Sequence, residues 1–464
     1  MTPYPAYKPT GLPWLPQIPE HWDCIPLGRL ARLKSLCGYV DRQLLSVYLD
    51  KGVVRFTDIK EKRTNTTSQD LSKYQLVELG DFVLNNQQAW RGSVGVSMLN
   101  GIVSPAYFVA TLSKKLQPHY ANYLFRSPAM VAHYCTSSKG IGSIQRNLDW
   151  QMLKPHLVPV PPPDEQVQIV RYLNSMTAKI NKLIRAKKQQ IALLQEQKKA
   201  IINQAVTKGL DPNAEMKDSG IDWLGQIPRH WKIKRLGHLS YMQNGISAPA
   251  EYFGSGFPFM AYGDVYNNYE IPQHLTGLAM SSIEEQARYS VQEGDVFFTR
   301  TSETIEEIAL AATCTKTIPH ATFSGFLIRV RPNKSIIIPL FSKYYFRCIL
   351  LRNYFVKGMN SVIRASLSQQ LLRNLPVLLP PAVEQEMIAQ HLEQCNKHFH
   401  EAIKKIENEI VLYTEYKNNL VSSIVTGQVD IRNISVDDFD PADLVFDAED
   451  TLNGEAEITE GFEE

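Results

Sequence analysis

Two stretches of the chain carry core-type positions at alternating spacings of four and three. In the first these are Ile180, Ile184, Lys187, Ile191, Leu194, Lys198, Ile201 and Ala205. In the second they are Ile388, Leu392, Cys395, Phe399, Ala402, Ile406, Glu409, Tyr413, Tyr416 and Leu420. A sustained 3.5-residue repeat is the mark of a coiled coil. Helices are therefore predicted from about Asp164 to Lys208 and from about Val383 to Thr426. At 1.5 Å per residue each would be roughly 60–65 Å long. Prolines at 159, 161–163, 376 and 380–381 cannot continue a helix but can precede one. VTKGLD at 206–211 and VTGQVD at 425–430 put a glycine just past each last turn. The first helix carries nine Lys or Arg against Asp164, Glu165 and Glu196, and the second carries seven Glu against four Lys. Opposite charge helps set partner choice, so the two helices are expected to pair with each other. One helix in each of two independent domains is the alternative.

Ahead of each helix the pattern changes to short β-type runs with Gly, Pro and Asn punctuation, over about 27–160 and 236–380. FVLNN, GIVSPAYFVATL, DVFFTR and FSGFLIRVRP read as strands, while HYANYLFRSPAMVAHY and LFSKYYFRCILLRNYF read as helical. The chain also repeats itself. TGLPWLPQIPEHWDCIPLG at 10–28 matches SGIDWLGQIPRHWKIKRLG at 219–237 in ten of nineteen positions. PPPDEQVQIVRYL at 161–173 answers PPAVEQEMIAQHL at 380–392. The offset grows from 209 to 219, so the second half carries a net ten-residue insertion between near-constant ends. This duplication makes an antiparallel, pseudo-two-fold helix pair the simplest geometry. It also suggests a scaffold that presents two different readers.

Charge sharpens that picture. From Asp437 to Glu464 there are 12 acidic residues and no Lys or Arg. The rest of the chain holds 49 basic against 35 acidic residues, which suggests a polyanionic partner. The acidic end is expected to be disordered and solvating. Six cysteines without CxxC spacing read as reduced thiols of a cytosolic protein. No apolar run reaches the roughly 18–20 residues that span a bilayer, and the first residues lack a signal pattern.

Catalytic motifs are hard to find. There is no GxxxxGK[ST] loop and no methyltransferase cofactor loop; Gly140-Ile141-Gly142 and Ser104-Pro105-Ala106-Tyr107 do not fit one. Asp81 and Asp295 each follow a glycine at the same place in both repeats, which reads as a turn into a strand. His391, Cys395, His398 and His400 could in principle offer zinc ligands, but packing is the simpler account. Side chains suited to reading DNA do occur. Asn86, Gln87, Gln88 and Arg91 follow the first Gly-Asp step, and Thr299, Arg300, Thr301 and Ser302 follow the second. A second matched pair of sites is Ser143, Gln145 and Arg146 against Asn360, Ser361 and Arg364. Arg suits guanine, and Asn or Gln suits adenine. The matched arginines could instead contact phosphate or form local ion pairs. Trp90 is expected to pack in the core, and Lys60, Lys62 and Arg63 form a basic run that suits phosphate.

On the duplicated WLxxIPxHW, the PPxxEQxxI helix starts and VTGxVD, the chain resembles the specificity subunit of type I restriction–modification systems. The extra Lys in VTKG and the long acidic end depart from that pattern. The resemblance implies an α+β fold: two globular mixed α/β target-recognition domains separated by two long antiparallel coiled-coil helices in a pseudo-two-fold repeat. The boundaries would be 1–160 and 211–380 for the recognition domains, 161–210 and 381–430 for the helices, and 431–464 for the acidic tail. Each recognition domain would read one half of a bipartite, asymmetric site in double-stranded DNA. The helices would fix the spacer and dock two methyltransferase subunits, with restriction and translocase subunits joining that core. S-adenosylmethionine, ATP and Mg would sit on those partners; this cytoplasmic chain would hold no cofactor, no metal and no catalytic residue, and would touch no membrane. A fused restriction or methylation enzyme, a coiled-coil adaptor without DNA, and an orphan specificity protein are the competing readings.

Overall fold

The computed structural model describes residues 2–12, 14–49, 51–58, 70–140, 146–301, 308–359 and 366–444. Two long helices, Pro163–Lys208 and Ala382–Val425, lie within a residue or so of the extents predicted from spacing. The chain divides into two compact units, residues 1–190 with 406–464, and residues 191–405. Each unit thus takes part of each long helix.

Within unit 1 an antiparallel hairpin, Tyr7–Leu12 with Leu15–Pro19, leads into strand Asp23–Pro26, which pairs with Leu157–Val160. A four-stranded antiparallel sheet follows in the order Ala31–Lys34, Tyr107–Leu112, Phe82–Asn85, Val94–Val96. Phe82, Val83 and Leu84 are all fully buried, so this strand is covered on both faces. That is why it reads as a continuous apolar run without alternation. Phe82 stacks on Phe125 of helix Pro118–Phe125 at 4.3 Å, while Val83 packs with Val109 of the neighbouring strand and with Leu45, Val47, Val77 and Val103 of the opposite layer. The helical run breaks at Arg126-Ser127 and restarts as Pro128–Thr136, as a proline at the first helical position allows. The run GIVSPAYFVATL forms two strands, Gly101–Val103 and Tyr107–Leu112, interrupted at Ser104-Pro105.

Unit 2 repeats this frame. Met216–Asp218 pairs with Gln226–Pro228, and Lys232–Arg235 with Pro376–Leu379. The sheet runs Ser240–Asn244, Leu327–Pro332, Val296–Thr299, Ala311–Thr313. Phe298 meets Phe346 and Phe355 on the helical side, and Phe297 meets Phe323 on the other. What differs is the added layer. Unit 1 has the two-stranded pairs Leu45–Tyr48/Gly52–Arg55 and Gln75–Val77/Gly101–Val103. Unit 2 has a three-stranded sheet, Gly277–Ala279, Phe253–Met260, Thr322–Phe323.

The repeated sequence motifs turn out to be complementary parts of one joint. In unit 1, Glu165 at the helix start accepts from the Tyr4 hydroxyl at 2.5 Å and pairs with His21 at 2.8 Å. In unit 2, Glu384 pairs with His230 at 2.7 Å and accepts from Trp231 Nε1 at 3.0 Å. The next residue is a buried glutamine in both. Gln166 accepts from Gln117 N and donates to the carbonyls of Lys115 and Pro161. Gln385 accepts from Ile338 N and donates to those of Ile336 and Pro380. Each helix end closes the joint. Gly427 has φ +74° and lies so close to Pro19 that a Cβ would stand 2.3 Å from its ring. Gly209 has φ +77°, with Trp231 and Glu384 within 3.4 Å of a Cβ. A side chain is excluded at Gly427 by space and strained at both positions by conformation.

The helices pair antiparallel inside each unit. Lys187 meets Glu409 at 2.6 Å and Lys417 reaches Asn181 in unit 1. Ile202, Ala205 and Val206 share a core with Ile388, Ala389 and Leu392 in unit 2. The predicted seam is buried or half-buried except Tyr416, which is 48% exposed. The buried positions there are Ile406, Ile410, Leu420 and Ile424. The register shifts by one because Ile410 takes the core place and Glu409 flanks it to meet Lys187.

Part of the stretch grouped with the acidic tail is packed on unit 1. Ile431 is buried, the Ile434 carbonyl accepts from Gln168, and Asp437 pairs with Lys179. Residues 445–464 lie outside the described residues. The six cysteines are free thiols. Among the described residues no helix is long and apolar enough to cross a membrane.

Candidate nucleic-acid interface

Both candidate sites grow from the same turn. Asp81 is buried; its carboxylate accepts from Glu78 N at 2.6 Å and meets Lys34 at 2.6 Å. Asp295, also buried, accepts from Gln292 N at 2.8 Å and from the Arg331 fork at 2.6 and 2.7 Å. Each carboxylate thus locks a turn that launches a strand, as the Gly-Asp step predicts, and is committed to structure.

At the far end of the unit 1 strand, Asn85 Oδ1 accepts from Gln87 N at 3.1 Å and starts a tight turn. Asn86 ties three segments together. Its N–H donates to Ala106 O at 3.2 Å, and its carbonyl accepts from Leu148 N at 3.0 Å. Its side-chain Oδ1 is buried and meets no hydrogen-bond partner among the described residues. Trp90 is half-buried, not a core residue as expected, because its Nε1 donates to Gln87 O at 3.0 Å at the surface of the turn. The guanidinium groups of Arg91 and Arg146 lie 5.6 and 5.1 Å from its ring centre, within cation–π range. Arg146 also approaches Cys135 Sγ at 3.3 Å. The structure therefore gathers Gln87, Arg91 and Arg146 around one indole, with Asn86 and Gln88 in the same turn. Ser143 and Gln145 lie outside the described residues, as do Lys60, Lys62 and Arg63.

Unit 2 reproduces the ties with different side chains. Arg300 N donates to Phe326 O at 2.9 Å, and Arg300 O accepts from Leu367 N at 2.8 Å. Arg300 is thus the counterpart of Asn86. Its guanidinium Nη1 reaches Gly325 O at 3.4 Å. Thr301 is exposed and bridges Ser366. Thr299 does not fit the reading assigned to it. It is fully buried as the last strand residue, and its hydroxyl accepts from Leu310 N at 2.9 Å. Ser302, Asn360, Ser361 and Arg364 lie outside the described residues. Phe326, which lies in the strand-like run FSGFLIRVRP, is 62% exposed beside Arg300.

Not every cation here faces solvent. Arg329 is buried, donates to Ser290 O and Gln243, and lies over Phe323. Burial first, and the neighbouring Arg331 second, pull its guanidinium down to about 10. Arg329 and Arg331 hold the unit 2 sheet and are unavailable to a polyanion. On the second long helix, His391 and Cys395 approach to 3.5 Å. Among the described residues no group of three or more His, Cys, Asp or Glu could hold a metal ion.

The model of the type I restriction modification DNA specificity domain matches this chain twice, over residues 19–193 and 228–412. The chain is 25% identical over 450 residues to the putative type I restriction enzyme MjaX specificity subunit of Methanocaldococcus jannaschii, covering 90% of this chain and 95% of that one. It is 23% identical over 432 residues to the type I restriction enzyme EcoKI specificity subunit of Escherichia coli, covering 88% of each. A chain solved in work on complex assembly and conformational transition of the type I R-M system shares the fold with a TM-score of 0.62 at 15% identity, over 89% of this chain and 99% of that one. Two matches to one domain model, on two units with one frame, establish that this chain belongs to the type I restriction modification DNA specificity family.

Proposed function

We propose that this chain sets the DNA sequence specificity of a type I restriction–modification complex, with each unit reading one half of a bipartite, asymmetric site. The observation that carries this is the repeated frame with unlike tips. The same strand end and the same backbone ties present Asn86, Trp90, Arg91 and Arg146 in unit 1, but Arg300 and Phe326 in unit 2. A pair of unlike readers suits an asymmetric target. Arg, Asn and Gln supply the donor and acceptor patterns that distinguish base pairs in the major groove.

The paired helices act as the ruler for the unspecified spacer and as the docking surface for two methyltransferase subunits. Those partners carry S-adenosylmethionine and methylate adenine, and restriction subunits add ATP- and Mg-dependent translocation and cleavage. This chain works in the cytoplasm and contributes contacts, not catalysis. Phosphate contacts position such a complex, so its binding weakens steeply with salt.

The test is a genome-wide adenine-methylation map of the host with and without this gene. A gapped two-part motif that vanishes on deletion, while the methyltransferase protein persists, supports the reading. An unchanged map contradicts it.

A further inference from the structure

We infer that Phe326 reads the second half-site directly, packing its ring against the 5-methyl group of a thymine; this rests on unit 2 being a DNA reader. Phe326 sits at the tip of the tight turn between strands Thr322–Phe323 and Leu327–Pro332. The turn is fastened from within by Leu327 N to Ser324 O at 3.0 Å and Phe326 N to Ser324 Oγ at 3.2 Å. Gly325 N donates to Ile246 O at 2.7 Å, and a Cβ on Gly325 would stand 2.1 Å from Ser247 Oγ. The turn is thus seated against its neighbour with no room to shift inward. Arg300 holds the outer side, through its N–H to Phe326 O and its guanidinium to Gly325 O.

This fastening keeps a large apolar ring in water. Phe326 is 62% exposed, while the adjacent Leu327 is fully buried. The fold does not need an aromatic residue there. The matched position in unit 1 is Ala106, whose carbonyl accepts from Asn86 N as the Phe326 carbonyl accepts from Arg300 N. Phe326 therefore belongs to what distinguishes the units. In unit 1 the aromatic ring near the tip comes from another segment, as Trp90.

A rigid ring beside a guanidinium matches the major-groove edge of DNA. There thymine offers its methyl group to apolar side chains, and guanine offers two acceptors to arginine. The turn is ordered before binding, so little conformational entropy is lost when the ring meets its target.

The test uses the full chain assembled with its methyltransferase subunits. Each thymine of the second half-site, on either strand, is replaced in turn by uracil, which removes only the methyl group. One replacement should weaken binding about fourfold, as expected for one buried methyl group. Phe326→Ala should weaken binding to the parent duplex by a similar factor and lose no more with that uracil. Phe326→Leu, which keeps an apolar contact, should restore the sensitivity. Thymines of the first half-site should show no coupling to residue 326. The inference is overturned if Phe326→Ala binds like the parent protein, or if no uracil effect depends on residue 326. A complex that keeps its specificity but shows no coupled position removes Phe326 alone. A complex with no sequence preference overturns the reading of unit 2 as well.

Discussion

The same glutamate is held in two ways. In unit 1, Glu165 is buried and takes Tyr4 and His21, while Trp22 Nε1 finds no hydrogen-bond partner among the described residues. In unit 2, Glu384 is a quarter exposed and takes His230 and the indole of Trp231. Tyr4 belongs to the segment before the repeat begins, and it has displaced the tryptophan from the carboxylate. The joint tolerates this exchange because the carboxylate keeps two donors either way. The helices, the joint and the sheet are thus the common frame, and the added layers and turn tips carry the difference.

The sharpest way to break the comparison is at a matched arginine. Arg347 donates to four carbonyls, those of Val265, Asn268, Ala311 and Tyr266. Its counterpart Arg126 donates to the Leu49 carbonyl at 3.1 Å. Arg347→Ala should cost about 3–5 kcal/mol, since several carbonyls lose a charged donor at once. Arg126→Ala should cost about 1–2 kcal/mol. Hydrogen exchange resolved by peptide should show opening in unit 2 for the first variant and a smaller effect in unit 1 for the second.

Acid should separate the units next. In unit 1, His133 meets Trp14 edge-on and His156 at a tilt, with ring centres 4.4 and 4.3 Å apart. His133 Nε2 is buried without a hydrogen-bond partner among the described residues. Burial first, and His156 second, pull His133 from the usual 6.5 down to about 4. The unfolded chain therefore binds the extra proton first as pH falls. The stability from neutral His133 is complete above pH 6.5 and is lost as pH drops toward about 4. The loss should be on the order of 3 kcal/mol. In unit 2 the corresponding tryptophan, Trp223, packs on Tyr354 instead. Exchange protection between pH 7 and 4.5 should fall in unit 1 more than in unit 2. His133→Phe should remove the difference.

The smallest contrast lies in the joint itself. Glu165→Ala should cost about 2 kcal/mol because it leaves the buried Tyr4 hydroxyl unmet. Glu384→Ala, partly screened by solvent, should cost about 1 kcal/mol. Urea denaturation of the two variants compares them, and equal losses would show that the Tyr4 hydroxyl is worth no more to the joint than the Trp231 indole.

The sequence made the frame legible and the tips only partly so. The helices stood out because Ile180, Ile184 and Ile191 must share a face, as must Ile388, Leu392 and Ile406. The one-residue seam error at Tyr416 arose where charge and aromatics replaced aliphatic residues, so spacing alone could not choose between Glu409 and Ile410. Thr299, a polar residue after VFF, resembles the start of a loop in sequence, yet backbone pairing continues through it. The opposite error hid Phe326. It precedes an unbroken strand run, and only the turn at Ser324-Gly325 turns its ring outward. Arg91 and Arg146 are 55 positions apart in sequence, and no local pattern signals that both would flank Trp90.

The central claim is that each unit reads its own half-site. It is tested most directly by methylation maps of hosts carrying the parent chain, Arg146→Ala or Arg300→Ala. The account predicts that Arg146→Ala relaxes one half of the gapped motif and Arg300→Ala the other, with the spacer unchanged. A map in which either variant degrades both halves alike, or alters the spacer, would contradict it.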